Sequence, residues 1–110
     1  MVELTTVGRK SGESRTVMLS SPVQHGETWV IVASRWGDDH HPAWFLNLRD
    51  QPIVEVRTTG LPRRTMHARV ASVEERVQLW PEVVSAYKNY AAYQKKTDRE
   101  IPLVLLEPVT

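Results

Sequence analysis

The chain has 110 residues, 41% hydrophobic and 25% charged, which fits one domain spanning the whole chain and excludes a disordered composition. Its 14 Lys and Arg against 13 Asp and Glu lack the basic excess of a nucleic-acid binder. It has no cysteine, which excludes disulfides and thiol chemistry, and no apolar run near the ~20 residues of a membrane span.

No signal peptide is expected ahead of the first ordered segment, so a cytoplasmic protein is the default. Residues 2–6 read as a short strand, and residues 15–20 as a second one rich in β-formers. Between them Gly8-Arg9-Lys10-Ser11-Gly12 is a turn, two glycines framing a polar run, so the strands form a hairpin. Backbone N–H groups, two cations and a hydroxyl in such a loop can hold a phosphate, with Arg15 following. The same residues also suit an exposed basic hairpin turn. A Walker loop is excluded, because a strand and not a helix follows.

Gln24-His25-Gly26-Glu27 is the next turn, and residues 28–33 are a strongly apolar strand suited to burial on both faces. Arg35 follows it directly, either a surface arginine or a cation at a barrel mouth. Residues 34–41 are polar and loop-like. Asp38-Asp39-His40-His41 lacks a partner set at metal-ligand spacing, so no metal site is expected. Its acids are expected to cap and solvate the start of the next helix. That helix opens at Pro42 and runs to about Asp50, with Trp44 and Leu48 on one face. Core packing accounts for its aromatic opening but not for Asn47.

Residues 53–57 and 63–72 alternate as half-buried strands, separated by a turn at Thr59-Gly60-Leu61-Pro62. Ser72-Val73-Glu74-Glu75 is a capping box that starts a helix running to about Lys95. Val77, Trp80, Val84, Tyr87 and Ala91 are expected to face the core, and Pro81 to kink or divide the helix. Tyr87, Tyr90 and Tyr93 step by three and spiral, as a hydroxyl-lined pocket wall or as a core edge. Residues 101–107 form the last strand. The expectation is a mainly β, α+β chain of about six strands and two helices, closed or partly closed into a barrel.

Four segments together resemble the deazaflavin-dependent nitroreductase family, in its F420H2-dependent quinone reductase type. They are Leu4-Thr5-Thr6-Val7-Gly8-Arg9-Lys10-Ser11-Gly12-Glu13-Ser14-Arg15, then Val32-Ala33-Ser34-Arg35, then Pro42-Ala43-Trp44-Phe45-Leu46-Asn47-Leu48. The fourth is the tail: Trp80-Pro81, Tyr87, Tyr90, Tyr93-Gln94, Thr97-Asp98-Arg99 and Ile101-Pro102. The resemblance covers nearly the whole chain, in order. It implies a split β-barrel of the flavin-reductase, FMN-binding-like kind, coenzyme F420 and a homodimer.

By the same resemblance, Arg9, Lys10, Ser11 and Arg15 would hold the coenzyme's phosphate and acidic tail. Thr16, Val17, Met18, Leu19 and Ser20 would run along it. Val32, Ala33, Ser34 and Arg35, with Ala43, Trp44, Phe45, Leu46 and Asn47, would frame the deazaflavin ring. Tyr90 would reach the coenzyme, and Tyr87 and Tyr93 would line the acceptor pocket. Ser34 would sit near the reacting centre, which makes Ser34, Tyr87, Tyr90 and Tyr93 the candidate catalytic residues. The acceptor implied is a quinone or nitroaromatic, and peripheral membrane contact is compatible with a quinone.

Two other readings use the same residues: a non-catalytic carrier of the coenzyme, and an FMN oxidoreductase, whose cofactor needs fewer cations. The chain departs from the family at Ser14 and Met18, where proline is common. It also begins at the first strand, where many relatives carry an extension that closes the acceptor pocket, so a more open pocket is expected.

Overall fold

The computed structural model describes residues 1–58 and 60–109. Of the turn expected at 59–62, Thr59 lies outside the described residues. In chain order the elements are β1 (Val2–Val7), β2 (Ser14–Leu19), β3 (Val23–His25), β4 (Thr28–Val32), a 3₁₀ turn (Arg35–Gly37) and α1 (Ala43–Asp50). They continue with β5 (Ile53–Thr58), β6 (Arg64–Val70), α2 (Val73–Ala86), α3 (Asn89–Lys95) and β7 (Leu103–Pro108).

The strands form one antiparallel sheet in the order β2-β1-β5-β6-β7-β4-β3. Side-chain alternation explains how it curls. Val2 and Leu4 of β1 share one core with Trp29 and Ile31 of β4, although four positions separate these strands in the sheet order. Trp44, Phe45 and Leu48 of α1 fill that core from its open side. The opposite parity builds a second core: Val30 and Val32 of β4 and Leu103 and Leu105 of β7 pack on Leu79, Val83 and Tyr90. The burial of the β4 segment on both faces, read from its unbroken apolar run, is what the sheet uses to carry two cores.

Among the described residues the sheet has seven strands, not about six, and there are three α-helices, not two. The extra strand, β3, holds only Val23, Gln24 and His25 and pairs with β4. Its two polar residues read as the start of a turn, because an edge strand of three residues buries one side chain and shows no alternation.

The expected long helix is broken, but at Tyr87, where φ is −141° and ψ is 102°, rather than at Pro81, which lies inside α2. The break turns the chain so that Tyr90 enters the second core. The expected core face of this helix is also corrected. Val77 and Tyr87 are exposed and Trp80, Val84 and Ala91 only partly covered, whereas Leu79, Val83 and Tyr90 are buried. Both faces of α2 carry apolar residues, so period alone does not choose between them.

The Ser72 capping box is formed: Glu75 N–H donates to Ser72 Oγ at 3.2 Å, and Ser72 N–H donates to Glu75 Oε1 at 2.9 Å. Glu75 also receives both guanidinium Nη groups of Arg69, at 2.6 and 2.7 Å, and Arg69 Nε donates to Glu107 at 2.7 Å. That network ties β6, α2 and β7 together. Among the described residues no helix is long and apolar enough to cross a membrane.

Candidate ligand site between the hairpin loop and the first helix

A cavity of about 1020 Å³ opens between β2, the end of β4, the 3₁₀ turn and the start of α1. Val17, Leu19, Val32, Trp44 and Leu46 give it apolar walls, and Ser20, Ser34, Arg35 and His41 add polar atoms. Beside it runs a groove of about 410 Å³, lined by Gly8, Lys10, Ser11, Arg15, Thr16 and Asn47. Arg9, Val17, Ala43 and Trp44 line both, so cavity and groove are neighbouring parts of one depression.

The groove's shape comes from the hairpin loop. Gly8 N–H donates to the Glu13 carbonyl at 2.7 Å, and Gly12 N–H donates to the Gly8 carbonyl at 2.8 Å. A Cβ on Gly8 would lie 2.7 Å from Ser11 Oγ and 3.2 Å from the Glu13 carbonyl oxygen, so a side chain there would push the loop open. Asn47 then fixes the loop to α1. Its buried Oδ1 accepts from Arg9 N–H at 3.1 Å and from Arg9 Nη1 at 3.2 Å. Its Nδ2 donates to Thr6 Oγ1 at 3.3 Å, which satisfies a hydroxyl buried on β1. Arg15 pairs loosely with Glu13 at 3.3 Å on the open surface. Arg9, Lys10 and Arg35 have no ion-pair partner among the described residues. Asp39 lines the cavity and the Asp38 carboxylate feels the charge of Arg35, whereas among the described residues no acid lines the groove, so the positive charge left unneutralised lies there, on Arg9 and Lys10.

At the other end, Arg99 holds the loop after β4. It donates Nη1 to the Ala33 carbonyl at 3.2 Å, Nη2 to the Ser34 carbonyl at 2.8 Å and Nε to the Asp38 carbonyl at 2.7 Å. Its Nη1 also lies 3.1 Å from His41 Nδ1. A guanidinium only donates, so Nδ1 accepts and a neutral His41 carries its proton on Nε2. Burial lowers the His41 pKa, and the charges of Arg99 and Arg49 lower it further, so the ring is neutral at neutral pH.

The acids expected to cap α1 do something else. Asp38 accepts from the backbone N–H of His40 at 2.7 Å, and Asp39 accepts from Thr97 Oγ1 at 2.6 Å. The residue at the α1 N-cap is Pro42, and no side chain bonds there. The reason is local: an Asx-type turn at Asp38 and the Thr97 hydroxyl offer closer partners than the helix end. Among the described residues no group of three or more His, Asp or Glu could hold a metal.

Most residues singled out in the sequence come together here. Arg9, Lys10, Ser11, Arg15, Thr16, Val17 and Asn47 meet at the groove. Val17, Met18, Leu19, Ser20, Val32, Ser34, Arg35, Ala43, Trp44 and Leu46 meet at the cavity. Ala33 and Phe45 lie beneath its surface, fully or almost fully buried. The tyrosines do not line either space. Tyr87, Tyr90 and Tyr93 stack edge to face in sequence, with centroids 6.0 and 6.1 Å apart, around the second core. Burial, then the neighbouring tyrosines, raises the Tyr90 pKa, so its hydroxyl stays protonated. The helix break at Tyr87 explains their placement, since it directs Tyr90 inward.

Sequence reasoning missed the part played by Arg99 and by His41. Their only signal was position in motif-like runs, because neither spacing nor periodicity links residue 99 to residues 33–41. It also missed the backbone of the 3₁₀ turn, where Arg35 (φ 44°) and Trp36 (φ 55°) both adopt left-handed conformations without being glycine.

Residues 1–108 match the family described as F420H(2)-dependent quinone reductase. The F420H(2)-dependent quinone reductase Rv1261c of Mycobacterium tuberculosis is 35% identical over 106 residues, covering 94% of this chain and 70% of its own. A solved structure described as an F420-H2 dependent reductase (FDR-A) is 41% identical with a TM-score of 0.84, covering 96% of this chain and 92% of that one. Another, described as a domain-swapped dimer, is 42% identical with a TM-score of 0.84, covering 96% and 78%.

Proposed function

Because the chain belongs to the F420H(2)-dependent quinone reductase family, we propose that it binds coenzyme F420 in the Arg9–Trp44 depression and reduces a quinone there. The observation that carries this placement is the join between the two spaces. A largely apolar cavity of about 1020 Å³, with volume enough for a flat ring, opens beside a groove with surplus positive charge. Coenzyme F420 pairs a flat, largely apolar deazaflavin with a phosphodiester and a carboxylate-rich tail. The lining therefore suits both halves of the coenzyme.

In this reading Arg9, Lys10 and Arg15, with the Ser11 hydroxyl, hold the phosphate and tail. Asn47 keeps Arg9 aimed into the groove. Thr16 to Ser20 run along the coenzyme, and Val17, Val32, Ala43, Trp44 and Leu46 flank the ring. When bound, the reduced coenzyme supplies a hydride from its ring carbon, which with one proton from solvent converts a quinone to a hydroquinone. The protein's own part is to fix distance and angle and to keep water from the ring. Ser34 offers a hydroxyl beside the cavity for the acceptor oxygen. A neutral His41, with its proton on Nε2, keeps a further positive charge out of the slot. Nitroaromatics belong to the same class of flat, electron-poor acceptor.

The seven-stranded sheet is read as a split barrel related to the FMN-binding barrels, and the chain as a homodimer. The likeness to a structure described as a domain-swapped dimer supports the pairing. An FMN enzyme on this barrel would need fewer cations than the groove offers, which favours the deazaflavin.

The test is a fluorescence titration with coenzyme F420 and, in parallel, FMN, followed by oxidation of the reduced deazaflavin with menadione. Micromolar or tighter F420 binding, weaker FMN binding and menadione-dependent oxidation are expected. Tight F420 binding with no turnover of any quinone or nitro compound would favour the carrier.

A further inference from the structure

The 3₁₀ turn spends backbone strain on displaying one side chain. Arg35 and Trp36 are consecutive non-glycine residues in the left-handed region, an arrangement disfavoured for L-residues. The strain is held from both sides. Arg99 grips the Ala33 and Ser34 carbonyls before the turn and the Asp38 carbonyl after it. Gly37 (φ 81°) is wedged against α3, where an added Cβ would lie 2.6 Å from the Tyr93 carbonyl oxygen.

The side chain so displayed is an indole. Trp36 lines the cavity yet is 72% exposed, while Trp29 and Trp44 are buried. Trp36 belongs to neither core, so packing within the chain does not account for a large aromatic held at the edge of a cavity by a strained, clamped turn.

We infer that Trp36 is a preformed stacking platform for the planar electron-poor acceptor and so helps to set which acceptors the protein takes. The inference rests on the reductase reading above and adds the acceptor's place to it. The groove meets the cavity at Arg9, Val17, Ala43 and Trp44, so a ring whose tail lies in the groove enters from that end. Trp36, with Met18 and His40, lines the cavity but not the groove. A cavity of about 1020 Å³ has room for a second flat ring beside a tricyclic one. The electron-rich indole complements a quinone or nitroaromatic face, and none of the three tyrosines lines the cavity to offer a rival aromatic wall.

The experiment compares the wild type with Trp36→Ala and Trp36→Phe. Menadione binding is measured by calorimetry without coenzyme, coenzyme F420 binding by fluorescence, and turnover by oxidation of the reduced coenzyme. Because the platform is preformed, the wild type should bind menadione alone. Trp36→Ala should weaken that binding about tenfold and raise the menadione KM in parallel with kcat held, and Trp36→Phe should recover most of both. The F420 Kd should stay within about twofold in both variants. Unchanged menadione affinity in Trp36→Ala, or no menadione binding by the wild type, overturns the platform. A tenfold weaker F420 Kd with menadione intact also overturns it, by assigning Trp36 to the coenzyme. If Trp36 controls menadione binding but the wild type never oxidises the reduced coenzyme, the platform stands and the reductase reading fails.

Discussion

Asn47 Oδ1 accepts both the backbone N–H and the guanidinium Nη1 of Arg9, so a single buried carboxamide sets the backbone and the side chain of the one charged residue that lines both groove and cavity. The contact spans from α1 to the hairpin loop and is backed by Thr6 on β1. The carboxamide thus links the packing of α1 to the charge of the site.

Asn47→Ala should therefore act twice. It strips partners from Arg9 and from the buried Thr6 hydroxyl, a loss of about 1–3 kcal/mol measurable by urea unfolding. It should also weaken coenzyme F420 binding about tenfold, since Arg9 is free to leave the groove. A stability loss with an unchanged F420 Kd would mean that Asn47 serves the fold alone.

Lys10→Ala should weaken F420 binding about three- to tenfold at low salt, and Arg15→Ala should do likewise. Both residues are exposed, so the effect should shrink as salt is raised towards physiological strength and above. Titrations at several salt concentrations check this. A salt-independent Kd, equal in variant and wild type, would remove these cations from the coenzyme's path.

Gly37→Ala should destabilise the protein by about 2–4 kcal/mol, because its Cβ meets the α3 backbone and its φ is positive. Thermal unfolding reads this directly. The same change at Gly26, also at positive φ but with open space around it, should cost only about 1–2 kcal/mol.

Acid stability should depend on Glu75. Hydrogen bonds from Arg69, then from Ser72, hold its carboxyl at about 2 against an ordinary 4.5. A lowered carboxyl pKa means that the unfolded state binds the proton first. Its contribution is therefore complete above about pH 4.5 and is lost as pH falls towards about 2. Glu75→Gln should lower the Tm at neutral pH, and the gap to wild type should close by about pH 2. A constant gap across that range would contradict the assignment.

His41 adds a milder slope at higher pH. Its pKa is lowered from the ordinary 6.5, so the unfolded ring again takes the proton first. Stability from this residue is full above about pH 6.5 and declines as pH falls below it. Replacement by asparagine, which cannot titrate, should flatten the Tm profile just below pH 6.5. An unaltered profile would place the titrating group elsewhere.

Elements that advertise themselves locally were legible in the chain. Alternation marked β5 and β6, an unbroken apolar run marked β4, and the Ser72–Glu75 capping box marked the start of α2 to the residue. The two-glycine loop announced its turn, and Asn47 stood out as a polar residue on an apolar helix face. β3 was too short to alternate, and the second apolar face of α2 hid which side would be buried.

The residue chemistry of the site was thus written in the sequence: the cations, the hydroxyls and the aromatic opening of α1. Only the folded chain decided which of them share a space. Arg99 reaches back across more than sixty positions to the carbonyls after β4, and the break at Tyr87 draws Tyr90 into a core while Tyr87 itself stays exposed. Those outcomes depend on where the curled sheet brings distant strand ends together, and periodicity, which reports only a residue's neighbours along the chain, holds no record of that distance.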